Sequence, residues 1–528
     1  MKGIRKLSEI IKDRSFILTV IATFLFGLIA HSYSYFNVFY SHDSLLVYQN
    51  DIVWQISLGR FLHPVYFLFR GNFYTPSLVG LLSLVFIALS AYIVIKLLSI
   101  KKPLLIVLVC GVMTINATVT LLNATYMLDI DIFMLSLLFA LTGVLFIRKY
   151  KRGFFIAPLF FCLSLGLYQS YFQVAVFLLM ILLVKDILDK NDTKTVLTFG
   201  AKSLSSLFAG LILYYIVLRI VLFATGIELG TGYNSISTVG QYDSLFSILY
   251  SLGATYYRVL AYFIKPIIYH PVLMGVVNVI IILLCAFFLI SIVVVKKIRG
   301  WNLAILIAAI FLMPFGMNVT CFFAKGMQHS LMIYSFFFVY IFAVYLSTEY
   351  AELKAIGEID IKKANFKQLS VKFVIPVLLA VILFNGIIYS NQTYLYKDLV
   401  YQNTLLTVNR VIDRMEQTDG YVIGETPVVF VGDMNHSKLS LGYQGIDNFA
   451  TGLDGVFAIT YYETYEYYFR NILSYPINIL NVSESLHWAE NQQVREMPVF
   501  PHTDSCKIID GTLVIKFSNN FVTQDTNN

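Results

Sequence analysis

The chain has 528 residues, of which 58% are hydrophobic and 13% charged, and it carries 44 Phe and 36 Tyr. That is about half the charge of a soluble protein, and apolar runs of about 20 residues recur, so the composition excludes a soluble enzyme and gives a polytopic α-helical membrane protein. The net charge of +7 is unevenly divided, with seven Lys/Arg against fifteen Asp/Glu from residue 401 onward; a basic membrane part followed by an acidic tail is no nucleic-acid binder.

In chain order, Lys2, Arg5, Lys6, Lys12 and Arg14 precede the first span, 15–36. No small-residue cleavage site follows, so this is a span and not a cleaved leader. The positive-inside rule places the N-terminus in the cytoplasm and loop 37–76 outside. Span 77–98 returns to Lys96, Lys101 and Lys102, span 103–123 leads to the acidic stretch NATYMLDID, and span 132–147 comes back to Arg148, Lys149, Lys151 and Arg152.

Residues 154–184 form one apolar run ending at Lys185, Lys190 and Lys194. As a single helix its 31 residues would span about 46 Å against a hydrocarbon core of about 30 Å, and a single crossing would put the lysines outside. A hairpin of two short helices turning at Gly166–Ser170 (GLYQS) resolves both conflicts. Backbone broken at membrane depth needs protein or water around it, so Tyr168, Gln169 and Ser170 become candidates to line a cavity.

Spans 199–225, 272–295, 303–322, 330–347 and 373–389 complete about eleven membrane helices. An amphipathic stretch in 226–271 lies along the outer interface, and the loop 348–372 is cytoplasmic. The membrane domain is therefore 1–390. Residues 391–520 read as a small extracytoplasmic α/β or α+β domain that could bind an acceptor: a helix over 394–418 with Leu399, Leu405, Leu406, Val411 and Ile412 on one side, then the strand patterns TPVVFVGD and GTLVIKF. Residues 521–528 read as a disordered tail.

The five cysteines (Cys110, Cys162, Cys285, Cys321, Cys506) have no metal-ligand spacing, and no metal site is expected. The chemistry falls instead on the outer connectors. Asp43 lies just beyond the first span in SHDS, between aromatic and apolar neighbours. Asp129 and Asp131, in YMLDIDIFML, stand about 200° apart on a helix, so at least one of them faces protein or a cavity. Cations share this face: Arg60 and His63 in GRFLHP, then Arg70, Arg258, Lys265, Lys325 and His329. An interfacial carboxylate, a structural ion pair and snorkelling lysines are the plain alternatives.

A polyprenyl-phosphate sugar presented outside the membrane would use such a set. The transferase needs a base within about 3 Å of the acceptor hydroxyl, cations against the leaving phosphate, and an apolar groove for the chain. Asp43, with Asp129 and Asp131, supplies the catalytic candidates. His42, Arg60, His63, Tyr168, Gln169, Arg258, Lys265, Lys325 and His329 supply the substrate-binding candidates.

The SHD at 41–43, GRFLHP at 59–64, YMLDID at 126–131 and LGLYQSYFQ at 165–173, within a multi-span layout over residues 10–390, resemble the bacterial membrane glucosyltransferases of the GtrII type, in the broader class of polytopic GT-C glycosyltransferases. The resemblance implies a GT-C-like fold in the bacterial plasma membrane and transfer of glucose from undecaprenyl-phosphate-sugar to a surface glycan. It also implies an inverting mechanism with Asp43 in the position of the catalytic carboxylate. No nucleotide cofactor is implied, and a divalent cation is left open. The competing readings are a flippase or transporter of lipid-linked saccharide, a membrane scaffold, and another lipid-phosphate transferase. The absence of an internal repeat argues against the transporter, and the dispersed tail histidines against the last.

Overall fold

The computed structural model describes residues 13–38, 40–45, 51–231, 237, 239–355, 371–437, 439, 455, 457–459 and 462–519, with backbone alone at His42, Asp43, Ala355, Val371 and Lys372. The apolar runs fold as helices because hydrocarbon offers a backbone N–H or C=O no partner outside its own segment. Helix α1 (Arg14–Phe36) starts on Asp13, whose carboxylate accepts from Ser15 N at 2.9 Å. The next connector holds two short helices, α2 (Ile52–Ser57) and α3 (His63–Arg70), and α4 (Pro76–Leu97) follows.

The single span expected over 103–123 is broken. Helices α5 (Pro103–Thr114) and α6 (Ala117–Thr125) meet at a 43° bend, where Asn116 caps Val119 N at 3.0 Å. Side chains from other helices take the freed carbonyls. His31 of α1 donates from Nε2 to Thr114 O at 3.0 Å and accepts from Tyr394 Oη at Nδ1 at 2.6 Å, while Tyr334 Oη donates to Met113 O at 2.7 Å. A carbonyl only accepts, which fixes the His31 tautomer.

After α7 (Ile130–Lys149), the 154–184 run divides into α8 (Gly153–Leu167) and α9 (Phe172–Leu188). The break falls at Tyr168, whose backbone is extended (φ −159°, ψ 118°). Arg148 and Asp186 flank this run and form a two-pronged ion pair at 2.6 and 2.7 Å. The chain therefore leaves and returns at one end, as a hairpin. Phe161 at its heart is fully buried against Gly143 of α7 and Gly210 of α10 (Thr193–Thr225), small residues that let the three helices close up.

Helices α11 (Leu245–Ile264), α12 (Pro271–Val295) and α13 (Trp301–Met317) continue the bundle. The span expected over 303–322 ends early at Asn318, followed by α14 (Val319–Phe323); the one expected over 330–347 begins as two 3₁₀ turns before α15 (Phe338–Ala355). Among the described residues, eight helical stretches are long and apolar enough to cross a membrane, the bent α5–α6 pair makes a ninth, and α8 and α13 are shorter apolar helices. Of the lysines in the loop 348–372, Lys362, Lys363 and Lys367 lie outside the described residues.

Polar contacts sort the connectors to two ends. At one end Lys96 pairs with Asp13 at 2.5 Å, Arg148 with Asp186, and Lys296 with Glu349 at 3.1 Å, and Asn302 Nδ2 donates to Asn191 O at 2.9 Å. At the other, Ser41 Oγ donates to Thr125 O at 2.7 Å, Leu62 N to Gly166 O at 3.0 Å, Thr118 Oγ1 to Ser330 O at 2.8 Å, and Arg258 Nε to Gly326 O at 2.7 Å.

The last membrane helix does not stop near 390. Helix α16 (Val371–Glu416) runs on for 46 residues, because beyond Pro376, in its second turn, it contains no further proline and its only glycine is Gly386. Its far half buries Val400, Thr404, Val408, Val411 and Met415, whereas Leu406, expected on the buried side, is 66% exposed. It carries a four-stranded sheet in the order β2-β1-β4-β3: β1 (Pro427–Val431), β2 (Asn478–Ile479), β3 (Cys506–Ile509) and β4 (Thr512–Lys516). Strand β1 is parallel to both neighbours, and β3–β4 is an antiparallel hairpin. TPVVFVGD and GTLVIKF supply β1 and β4 as expected; CKII was not foreseen as a strand. Helices α17 (Tyr462–Tyr467), α18 (Val482–Glu490) and α19 (Gln492–Glu496) pack on the sheet. Lys516 Nζ, buried, donates to the carbonyls of Val494, Arg495 and Met497 at 2.9, 2.8 and 3.0 Å. The tail 521–528 lies outside the described residues.

A Cβ at Gly143 would stand 2.5 Å from the Phe161 ring. Gly143→Val should therefore cost about 1–3 kcal/mol through overpacking, seen as a lowered thermal midpoint in detergent, with Gly226→Asn, at an open αL helix end, as the near-neutral control.

Candidate functional site

The connector between α1 and α4 is folded against the hairpin turn. Leu58 O accepts from Gln169 Nε2 at 2.8 Å, Gly59 O from Tyr214 Oη at 3.1 Å, and Gln169 Nε2 also donates to Tyr214 Oη at 3.1 Å. Gly59 has φ +78°, which turns the chain so that Arg60 faces back over α2. Arg60 Nη1 donates to Gln55 Oε1 at 3.0 Å, its guanidinium lies 5.0 Å from the Tyr168 ring centroid, and its buried Nε has no partner among the described residues. A guanidinium stacked on an aromatic face with a free N–H is set up to receive an anion.

His63 is fully buried and donates from Nε2 to Leu167 O at 2.9 Å, the carbonyl freed by the hairpin break. Burial, and then the nearby Arg60, push its pKa down to about 3. It is therefore neutral, and as the site stands it holds the turn in place; it does not touch an anion. The unfolded chain takes up this proton near the ordinary value of about 6.5, so its contribution to stability is full above that pH and is lost as pH falls toward 3. His63→Gln, which keeps a donor for Leu167 O, should flatten the fall of the thermal midpoint between pH 6.5 and 4.

Asp131 is fully buried in a closed arrangement. Arg70 Nε lies 3.2 Å from its Oδ2, Tyr66 Oη donates to the same oxygen at 2.8 Å, and Ile132 N donates to Oδ1 at 3.0 Å. The remaining Arg70 donors reach Leu128 O at 2.7 Å and Phe73 O at 3.1 Å. Both carboxylate oxygens are thus engaged in an ion pair that ties α3 to the start of α7. Asp129, two residues earlier, stands half-buried at the N-cap of α7 on the other side.

The backbone of residues 42–45 is one 3₁₀ turn, His42–Leu45. Ser41 and Ser44 close it: Ser41 N donates to Ser44 Oγ at 2.7 Å and Ser44 N to Ser41 O at 3.0 Å. The Ser41–Thr125 bond fastens this turn to the end of α6, four residues before Asp129. The side chains of His42 and Asp43 lie outside the described residues.

Opposite stand the α14–α15 turns. Gln173 holds them to α9, donating to Met332 O and accepting from Thr320 Oγ1 at 2.7 Å. Gly326, at φ +87°, presents its carbonyl to Arg258, and half-buried His329 next to them is held below its usual pKa by burial and then by Arg258. Lys325 is half-buried in the same turn, whereas Lys265 is exposed at the end of α11 and stands apart. A chain of ring contacts joins the two sides: Phe133 to Tyr168 at 4.4 Å, Tyr168 to Tyr171 at 5.7 Å, and Tyr171 to Tyr334 at 5.5 Å. The SHDS turn, Asp129, Arg60, Tyr168 and the 330–334 turns thus stand at the same end of the bundle, knit together by the Ser41–Thr125, Leu62–Gly166 and Thr118–Ser330 bonds. At the α5–α6 bend lies a mainly apolar cavity lined by Asn116, Thr120, Ile268, Asn278, Tyr340 and Ile382. Among the described residues no three His, Cys, Asp or Glu side chains converge as a metal would require.

Sequence reasoning did not assign roles to Tyr66, Arg70, Gln173 or the two serines. The serines had a signal: SxxS is the spacing of a self-closing turn.

These features define a polytopic membrane protein with polar connectors gathered at one end of its helices and a mainly apolar cavity at the α5–α6 bend. Its sequence matches the glucosyl transferase GtrII family over residues 32–348, more than half of its length, and the chain belongs to that family. Membership makes it a glucosyltransferase, acting between a sugar donor and a glycan acceptor. No curated protein and no solved structure matches the chain.

Arg70→Ala would leave Asp131 buried without its cation, and should destabilise the protein by about 3–5 kcal/mol. Adding Asp131→Asn should restore much of the thermal midpoint. If the double variant also regained transfer activity, Asp131 would be structural; continued inactivity in a restored fold would return it to the chemistry.

Proposed function

We propose that the protein moves glucose from undecaprenyl-phosphate-glucose onto a surface glycan at the outer face of the bacterial plasma membrane, with Asp43 as base. The eight long helices, the bent pair and the two shorter helices together make eleven crossings. The N-terminus is cytoplasmic and the sheet domain extracytoplasmic, since the end rich in Lys and Arg is the cytoplasmic one.

The observation that carries the reading is the Ser41–Thr125 bond. It holds the SHDS turn at the top of α6, whose foot, at Asn116 and Ala117, lines the apolar cavity. Nine residues of helix span about 13 Å, so a lipid chain that parted the helices at this small cavity would bring its phosphate within reach of the SHDS turn. Arg60, with its open Nε, meets the leaving phosphate, and Arg258, Lys325 and His329 line the facing side.

In the reaction the acceptor hydroxyl oxygen forms a bond to the anomeric carbon while the bond from that carbon to the phosphate oxygen breaks. The hydroxyl proton passes to the Asp43 carboxylate, and the electron pair leaves with the lipid phosphate, whose growing charge Arg60 stabilises. A single displacement inverts the anomeric centre.

The test is in-vitro transfer from a short-chain polyprenyl-phosphate glucose. Asp43→Asn should lower kcat by about 10²–10⁴-fold, with the thermal midpoint and donor binding retained. Arg60→Ala should lower kcat and weaken donor binding, and Arg60→Lys should recover only part because the two-pronged grip is lost. Normal turnover by Asp43→Asn would remove Asp43 as base. Donor crossing the bilayer with no acceptor labelled would favour a transporter.

A further inference from the structure

The SHDS turn is built into two parts of the chain at once. On one side Ser41, fully buried, bonds to Thr125 O. On the other, Leu45 is fully buried in the hydrophobic core of the C-terminal domain, with Val408, Val411, Met415, Phe430, Tyr465 and Phe517. Its carbonyl accepts a hydrogen bond from Asn471 Nδ2 at 3.0 Å. Tyr40, at the start of the turn, packs at 5.5 Å from the Tyr74 ring and 5.4 Å from that of Tyr401, on α16. Tyr33 Oη donates to Asp398 Oδ2, also on α16, at 3.0 Å.

A loop merely passing under a neighbouring domain would not place a leucine at the centre of that domain's core. Residue 45 is two positions from Asp43, so whatever fixes residue 45 limits where the Asp43 backbone can stand. Among the described residues the turn is held on the membrane side by its own serine bonds, the Thr125 tether and the Tyr40–Tyr74 ring contact. Its other end belongs to the C-terminal domain.

We propose that the C-terminal domain positions the catalytic turn: Leu45 and Asn471 are positioning residues that fix where the backbone of Asp43 stands, so that the base is assembled only when the domain is docked. This deepens the proposed function and rests on Asp43 being the base. The effect belongs to the chemical step, because the donor contacts at Arg60 and in the cavity lie on the membrane side and do not include these residues.

The experiment measures kcat and donor KM on the full-length protein in lipid nanodiscs, with a short-chain polyprenyl-phosphate glucose. Asn471→Ala and Leu45→Ala should each lower kcat by tenfold or more at unchanged donor KM, and Leu45→Met, which refills the pocket, should recover most of the loss. Val494→Ala, in the domain's other core with Val429, Val431, Met497 and Val514, should loosen the domain comparably by thermal midpoint yet keep kcat within twofold. An equal loss in Val494→Ala would mean that only general integrity of the domain matters, and would overturn the proposal. So would native kcat in both Asn471→Ala and Leu45→Ala while Asp43→Asn is inactive. Native turnover in Asp43→Asn would instead sink the base assignment on which the inference stands. Should Leu45→Ala fail to accumulate, Asn471→Ala, which removes one hydrogen bond and little volume, carries the test.

Discussion

Every departure from regular helix in this protein has to be made good by a side chain from elsewhere, because hydrocarbon will not solvate a bare carbonyl. The carbonyls freed at the α5–α6 bend go to His31 and Tyr334, and the one at the hairpin turn goes to His63. At the α13–α14 break Ser335 Oγ donates to Met317 O, and Asn318, itself held by Gln328, reaches across to Thr255 O of α11 at 3.1 Å. These repairs couple the helices most tightly where the backbone is irregular. One of these irregular places, the α5–α6 bend, is also a wall of the apolar cavity.

Seen this way the polar residues at this end divide into two kinds. Asp131, Gln169 and Gln173 are spent on structure, since each satisfies a backbone group or a buried partner that would otherwise be stranded. Arg60 at Nε and His63 at Nδ1 each keep one buried nitrogen without a partner among the described residues. The distinction rests on who holds each atom, which explains why charge near a membrane edge is a poor guide to chemistry on its own.

That is also where the sequence stopped being legible. Helix positions, the hairpin and the strands PVVFV and TLVIK followed from apolar length, lysine placement and alternation, which are local signals. The break at Asn116 escaped notice because NATVTLLNAT is apolar enough to continue a span, and the capping role of Asn116 depends on how α6 is angled. Asp129 and Asp131 could be separated onto two faces from spacing alone, but which one is closed off depends on Arg70, about sixty positions away. Leu45 was invisible for the same reason: its partners begin at Val408. The end of the last membrane helix expected at 389 is no end at all: hydropathy falls there, but α16 merely changes solvent and continues.

Helix α16 has one more consequence. Uninterrupted from the bilayer to the sheet, it acts as a threaded rod that sets both the height and the heading of everything mounted on it. Each residue contributes about 1.5 Å of lift and about 100° of rotation. One residue inserted between the membrane and Val400 would swing Asn471 to a different bearing around the rod and away from the turn it grips. Length changes in that stretch are consequently admissible only near whole numbers of turns, a periodic constraint on a segment whose individual surface residues are otherwise free to vary.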